Sequence, residues 1–404
     1  MQSTVWAWRV TWPQKMLQAS EEGIFLQITP DIKKKRFLDA ASVGRWLGLD
    51  FLLLTAPENI YYLSGFRTML YTRFCGVLVK VADASATLLI PSVDKYLAFE
   101  GWWSPTWFGQ ESIVVYGPAE PVRTHFDLLR KLVPEDARVG VDSITYAFYE
   151  SLRATMPGLQ AIPVYDEINS LKLVKAAEEI AALRRANEIA VAGMRRVKNF
   201  LASVVGASRE VTELDIASEI DTLARAEGCD GFGYPTLVSF GDKMRAPHSP
   251  PLRRVIPSNQ GIRVAFGPTY DGYSADVIRT FVIGEPEPIV YRLRDAFVEA
   301  QSACLTALKP GVTSPELLEI VRGVYDRHDM TQYWGGSIGH GIGITIHEPP
   351  RVQQDDSTAL PADAIVAIEP TVGNAGYAQC DVARVTPAGG EWLAPCELDL
   401  VVIR

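Results

Sequence analysis

Between Trp334 and Arg351 the chain reads Trp-Gly-Gly-Ser-Ile-Gly-His-Gly-Ile-Gly-Ile-Thr-Ile-His-Glu-Pro-Pro-Arg, and few structures accept such a stretch. It carries two of the five histidines, His340 and His347. Five glycines surround His340, so the backbone there can approach a ligand or a neighbouring strand closely. After His347 the sequence Glu-Pro-Pro ends any regular element. A lone histidine in an apolar run is more often a core residue. Glycine flanking and further polar islands downstream reverse that preference here.

The 404 residues suggest two domains, or a large one with a smaller partner. With 48% hydrophobic and 22% charged residues, the chain has the balance of a globular protein with a sizeable core. A net charge of −9 and the lack of a long basic block point away from nucleic acid and anionic membranes. Lys33-Lys34-Lys35-Arg36 reads as a solvated face of a helix. The cysteines (75, 229, 304, 380, 396) form neither a CxxC pair nor a disulfide framework, which suits a reducing cytoplasm. Met1 to Arg36 lacks the pattern of a signal peptide, and no apolar run reaches membrane-span length. A cytoplasmic protein is expected.

Residues 31–165 alternate helical and strand patterns, with strands at 50–55, 75–81, 86–90, 139–142 and 162–164, as in an α/β domain. The boundary falls near Tyr165–Lys175, giving domains 1–168 and 169–404. Beyond it, Ala177 to Val205 is amphipathic, and Thr212 with Asp215 opens a second helix. Strand 262–267 and strand 273–283 flank a turn at Tyr270-Asp271-Gly272. Helices follow at 288–307 and from Ser314-Pro315, read as N-cap and N1; residues 334–404 are strands and glycine turns.

Four polar islands stand out after residue 230: Ser239 to His248; the hairpin around Asp276; the stretch holding His340, His347 and Arg351; and Ala367-Ile368-Glu369-Pro370. Asp276 and Glu369 lie in strand-like surroundings, where burying an ionised carboxylate is costly without a partner. Singly, Asp276 could pair with Arg279 and Glu369 with Arg384. Together, two carboxylates and several histidines on separate strands are what a metal or acid–base site needs.

The order of these islands resembles the creatinase, prolidase and aminopeptidase P family. Asn59-Ile60-Tyr61-Tyr62-Leu63-Ser64-Gly65-Phe66 looks like its N-domain signature, and Leu173 to Ile180 like its linker. Phe232-Gly233-Tyr234-Pro235-Thr236 and Pro247-His248 resemble the segment before its substrate-side histidine. Gly339-His340-Gly341 and Ile368-Glu369-Pro370 resemble its two most specific motifs. The resemblance implies an α/β N-terminal domain followed by an α+β pita-bread catalytic domain. It also implies a homodimer in which one subunit's N-domain contributes to the other's site.

Metal-dependent members use two aspartates, a histidine and two glutamates. Carried over, the second aspartate falls on Asp276, the histidine on His340 and the first glutamate on Glu369. The first aspartate's position holds Ala265 and the last glutamate's holds Cys380, followed by Asp381. Asp381 does not take over, because neighbouring strand residues point to opposite faces. A dinuclear centre is not expected with two carboxylates gone. The reading is therefore of no metal, the alternative being one zinc or iron ion on Asp276, His340, Glu369 and Cys380.

Creatinase is the family's metal-free precedent. By that resemblance His248, Glu369, Asp276 and Tyr273 are the catalytic candidates. His340, His347, Arg351 and Cys380, with Tyr71 and Arg73 of a partner subunit, are the substrate-binding ones. Asp276 and His347-Glu348-Pro349-Pro350 are prolidase-like instead, and creatinase's own hairpin carboxylate is Ile278 here. The expectation is a non-peptidase, creatinase-like hydrolase acting on a C–N bond of a small amidine, amide or imino-acid-like molecule. The alternatives are an Xaa-Pro dipeptidase-like mononuclear metalloenzyme, a recruited lyase or isomerase, and a non-catalytic binding protein.

Overall fold

The computed structural model of the chain describes residues 29–404 apart from 69–71, 101–105 and 371–375. Tyr71, and residues 1–28 of the stretch inspected for a leader, lie outside the described residues. No helix among the described residues is long and apolar enough to cross a membrane.

The N-terminal part is a six-stranded mixed sheet. Its strands are β1 (Phe51–Leu54), β2 (Gly76–Lys80), β3 (Ser85–Pro91), β4 (Ile113–Tyr116), β5 (Arg138–Val141) and β6 (Gln160–Pro163). Their order is β4-β3-β2-β1-β5-β6. Central β1 is buried at all four residues, Phe-Leu-Leu-Leu, as a strand covered on both faces requires. One face packs under helices α1 (Pro30–Trp46), α2 (Pro57–Ser64), α3 (Lys95–Glu100) and α6 (Tyr165–Ser170); α4 (His125–Leu132) and α5 (Tyr146–Thr155) cover the other.

Two further sheets follow, each backed by a pair of helices. Strands β7 (Gly231–Phe240), β8 (Gly261–Tyr270), β9 (Tyr273–Ser274), β10 (Val277–Ile283) and β16 (Leu400–Ile403) form the first, in the order β16-β10-β8-β7 with β9 on β8. Helices α7 (Ala177–Gly206) and α8 (Glu213–Ala226) pack on it through Ile189, Met194 and Ile220, which meet Ile262, Val264 and Phe266. The second sheet runs β12 (Glu348–Val352), β11 (Gly339–Gly341), β13 (Ile365–Ile368), β14 (Asp381–Thr386), β15 (Gly389–Trp392), backed by α9 (Pro288–Ala307) and α10 (Ser314–Arg327). Paired backbone bonds between Ile278 and Cys380 bridge the two sheets.

Local chemistry differs from the sequence reading in three places. The N-cap of α10 is Thr313, not Ser314, because Thr313 and Glu316 close a reciprocal capping box. The strand expected at 273–283 breaks at Ala275-Asp276, where the facing Pro268 accepts from Ala275 but has no N–H to return. Arg36 is not solvated: it is 3% exposed and pairs with Glu179 at 3.1 Å.

A chain of buried polar contacts joins the N-terminal part to the sheets. Lys172 Nζ donates to Asn59 Oδ1 (2.8 Å), and Asn59 Nδ2 donates to Asp142 (2.9 Å). Lys175 Nζ donates to the Lys172 carbonyl and meets Glu348 Oε2 at 2.9 Å, both side chains being 2% exposed. Glu348 also accepts the N–H groups of Ile344 and Thr345. The α2 motif, the linker and the His-Glu-Pro-Pro motif are thus parts of one network that anchors the loop bearing His347.

Candidate active site

Strand alternation brings the site together. His340 pairs with Ala367, and Ala367 with Val382. Glu369, two residues after Ala367, and Cys380, two before Val382, therefore share His340's face. Ile278 pairs with Ala265, and Asp276 lies two residues before Ile278, so Asp276 and Ala265 share a face of the other sheet. The Ile278–Cys380 bridge presses the two faces against each other. Asp381, of opposite parity, is taken up by Arg279 Nη2 (2.5 Å) and by Gln301 and Gln379.

Glycines make the close approaches possible. Gly339 has φ +141°, and a Cβ there would meet the Ala367 carbonyl oxygen at 1.9 Å. A Cβ on Gly267 would lie 2.6 Å from the Tyr234 ring. β7 carries an extra residue between the pairs Tyr234–Gly267 and Leu237–Ala265, a bulge at Pro235. The Tyr234 hydroxyl donates to Asp276 Oδ1 at 2.7 Å.

Ligand atoms of Asp276, Glu369 and Cys380 all lie within 4.8 Å of one another. His340 Nδ1–H donates to the Gly341 carbonyl (3.1 Å), which turns Nε2 toward Asp276 Oδ2 (3.5 Å) and Glu369 Oε1 (3.8 Å). Burial alone would push the His340 imidazolium toward deprotonation. Asp276, then Glu369, outweigh it and hold its pKa above the ordinary value. Burial, then the Asp276 charge, raise the Glu369 carboxyl to about 7. Burial and the same two carboxylates push the Cys380 thiol well up. Burial and the charge of His340 lower His347.

A cavity of about 570 Å³ opens above this floor. Asp276, Glu369, His340, His347 and His248 line it, with His248 and His347 exposed at its mouth. The His340 and His347 rings stand edge to face at 4.3 Å. Cys380 is 0% exposed beneath the floor. Tyr273 is not brought to the cavity: it is 1% exposed, and its hydroxyl donates to Glu179 (2.9 Å) in the contact with Arg36. Arg351 shares His340's face of β12 but is exposed and does not line the cavity, nor does exposed Arg73. The pairs weighed from sequence do not form, since Arg279 holds Asp381 and Arg384 holds Asp363 and Glu391. Tyr234 and Arg263 line the cavity and were not singled out as site residues from sequence.

Comparison with known proteins accounts for this arrangement. The profile of Metallopeptidase family M24 matches residues 181–390, and that of the Creatinase/Prolidase N-terminal domain matches residues 45–174. The chain belongs to metallopeptidase family M24. It is 26% identical to an Xaa-Pro dipeptidase of Pyrococcus horikoshii over 87% of this chain and 95% of that one. The prolidase structure from the same organism superposes with a TM-score of 0.79 at 23% identity, covering 91% of this chain and 100% of that chain. The dipeptidase PepE structure from Mycobacterium ulcerans gives 0.78 at 26% identity, covering 93% and 100%. The fold is the pita-bread fold, preceded by a creatinase-type N-terminal domain.

Two expectations are corrected by these findings. The non-peptidase, creatinase-like hydrolase gives way to a prolidase-like hydrolase, because the relatives are named Xaa-Pro dipeptidases and the family is one of peptidases. The expectation of no metal falls as well: the family is one of metallopeptidases, and Asp276, Glu369 and Cys380 converge as a donor set. Buried Asp276 and half-buried Glu369 repel one another, and a cation held between them and Cys380 would relieve that repulsion further than the His340 imidazolium does. The donors fit one ion. They do not fit two, since Ala265 offers no ligand atom and Asp381 is held by Arg279 on the other face.

Proposed function

We propose that this chain is a single-metal dipeptidase that cleaves the bond before an imino acid, as in Xaa-Pro dipeptides. The observation that carries the reading is the convergence of Asp276, Glu369 and Cys380 within 4.8 Å, with His340 Nε2 turned toward them. Bound there, a divalent ion would polarise the scissile carbonyl and lower the pKa of a water. Glu369, beside the water such an ion would hold and ionised once the ion offsets the Asp276 charge, is suited to take the proton of that water. His248, at the cavity mouth, is placed to return a proton to the departing imino nitrogen. Tyr234 fixes Asp276, and Leu237, Ile278, Ile346 and Phe297 offer apolar walls to a pyrrolidine ring.

The protein is taken to act as a cytoplasmic homodimer. Its five free cysteines suit a reducing compartment. Exposed Arg73 lies close enough to Asp94 to bias its charge, and the neighbouring Val93 and Tyr96 are 63% and 69% exposed. A second subunit covering this face would bring its own site to Arg73.

Protein purified without chelator is expected to hold about one metal equivalent per chain by elemental analysis. It is expected to hydrolyse Gly-Pro, and EDTA is expected to abolish turnover. Two tightly held equivalents, chelator-resistant turnover, or no cleavage of any Xaa-Pro dipeptide with manganese, cobalt, zinc or iron would each overturn the reading.

A further inference from the structure

Three arginines among the described residues are less than a tenth exposed: Arg36, Arg263 and Arg279. Arg36 meets Glu179 at 3.1 Å and Arg279 meets Asp381 at 2.5 Å. Arg263, 6% exposed, has no carboxylate within ion-pair distance among the described residues. Its Nη2 donates to the Pro247 carbonyl, and its Nε is buried without an acceptor. A buried guanidinium without a counter-charge is unfavourable, and desolvation does lower its pKa.

The strand aims this cation at the site. Arg263 precedes Ala265 by two residues on β8, and both line the cavity, while Ile262 and Val264 of opposite parity enter the core under α7. Glu369 feels its charge across the cavity without forming an ion pair with it. The wall that has a methyl group where a metal-ligating aspartate was expected thus carries a fixed positive charge.

We infer that the Arg263 guanidinium binds a carboxylate of the substrate. A planar monoanion fits this position: its charge offsets the guanidinium, and its oxygens can accept from the guanidinium, whose Nε–H lacks an acceptor. A phosphate dianion would be opposed by Asp276 and Glu369 on the cavity floor. The inference deepens the dipeptidase reading, on which it rests only for naming the acid as a dipeptide's C-terminal carboxylate.

The test is binding without turnover. N-acetylproline and N-acetylprolinamide, which differ in the acid alone, are titrated calorimetrically into the full chain and its Arg263→Met variant. Wild type is expected to prefer the acid by about tenfold or more. R263M is expected to bind both alike, and to melt no lower than wild type when unliganded, which a merely structural arginine would not allow. If R263M does not fold, Arg263→Gln, which keeps polarity and loses charge, is read in its place. A wild type that binds both probes alike or neither, or a variant that keeps the acid preference, overturns the inference. Gly-Pro hydrolysis is scored separately: its absence beside an Arg263-dependent preference removes the dipeptidase reading and supports this one.

Discussion

Glu369 sits in an electrostatic conflict on the cavity floor. Its carboxyl titrates at about 7 because burial, and then Asp276, oppose its charge; an unfolded glutamate titrates near about 4.3. A folded pKa above the unfolded one stabilises the protein fully below the unfolded value, and that stability is lost as pH rises through about 7. Since 29% of the side chain faces the open cavity, solvent screening leaves about 1–2 kcal/mol of the effect. Chelated wild type should therefore lose stability to urea between pH 5 and pH 8 relative to Glu369→Gln, and bound metal should reverse the trend. Equal pH dependence in both proteins would place the effect elsewhere. Arg263 was not singled out at this scale, although an arginine between Ile262 and Val264, two residues from Ala265, is a signal that could have found it. Tyr273 was not, because only the packing of α7 against β9 brings Glu179 to its hydroxyl.

Among the elements, strands supply the site's precision and loops its freedom. β8, β10, β13 and β14 each contribute by alternation, so Cys380 reaches the donor set while Asp381 is turned to Arg279. The His347 loop, between β11 and β12, depends on Glu348, which Lys175 neutralises while two loop N–H groups donate to it. Removing one partner of a buried pair leaves the other uncompensated. Lys175→Met should destabilise the chain by about 3–5 kcal/mol in chemical denaturation, and adding Glu348→Gln should recover a substantial part. A cost below about 1 kcal/mol would mean the pair is solvated. The strand break at Ala275-Asp276 belongs to this scale too: Pro268 was visible in the sequence, but its facing residue follows only from the hairpin register.

At the scale of the whole molecule, the N-terminal domain is clamped onto the hairpin that carries Asp276. The Tyr61 hydroxyl donates to the Asp271 carbonyl at 2.6 Å, and Arg67 pairs with Asp230. Arg73, on the same domain, is exposed and does not line its own chain's cavity. If it serves a partner's site, Arg73→Ala and Glu369→Gln chains, each inactive alone, should regain roughly a quarter of wild-type turnover after subunit exchange, the yield of random pairing in a two-fold dimer. No recovery in mixtures proven to exchange would remove Arg73 from the site.

The sequence by itself carried the resemblance to the family, the pairing of an α/β domain with a pita-bread domain, and Ala265 and Cys380 where that resemblance expects carboxylates. These are local facts, carried by motif spacing and by the two-residue period of a strand. Tertiary structure decided which polar groups meet. It assigned Arg279 to Asp381, Tyr273 to Glu179 and Lys175 to Glu348, brought His248 and His347 to one cavity mouth, and left Arg263 facing that cavity without a carboxylate partner among the described residues. Such partnerships span 94 to 173 residues and depend on how sheets and helices pack, which no local period encodes.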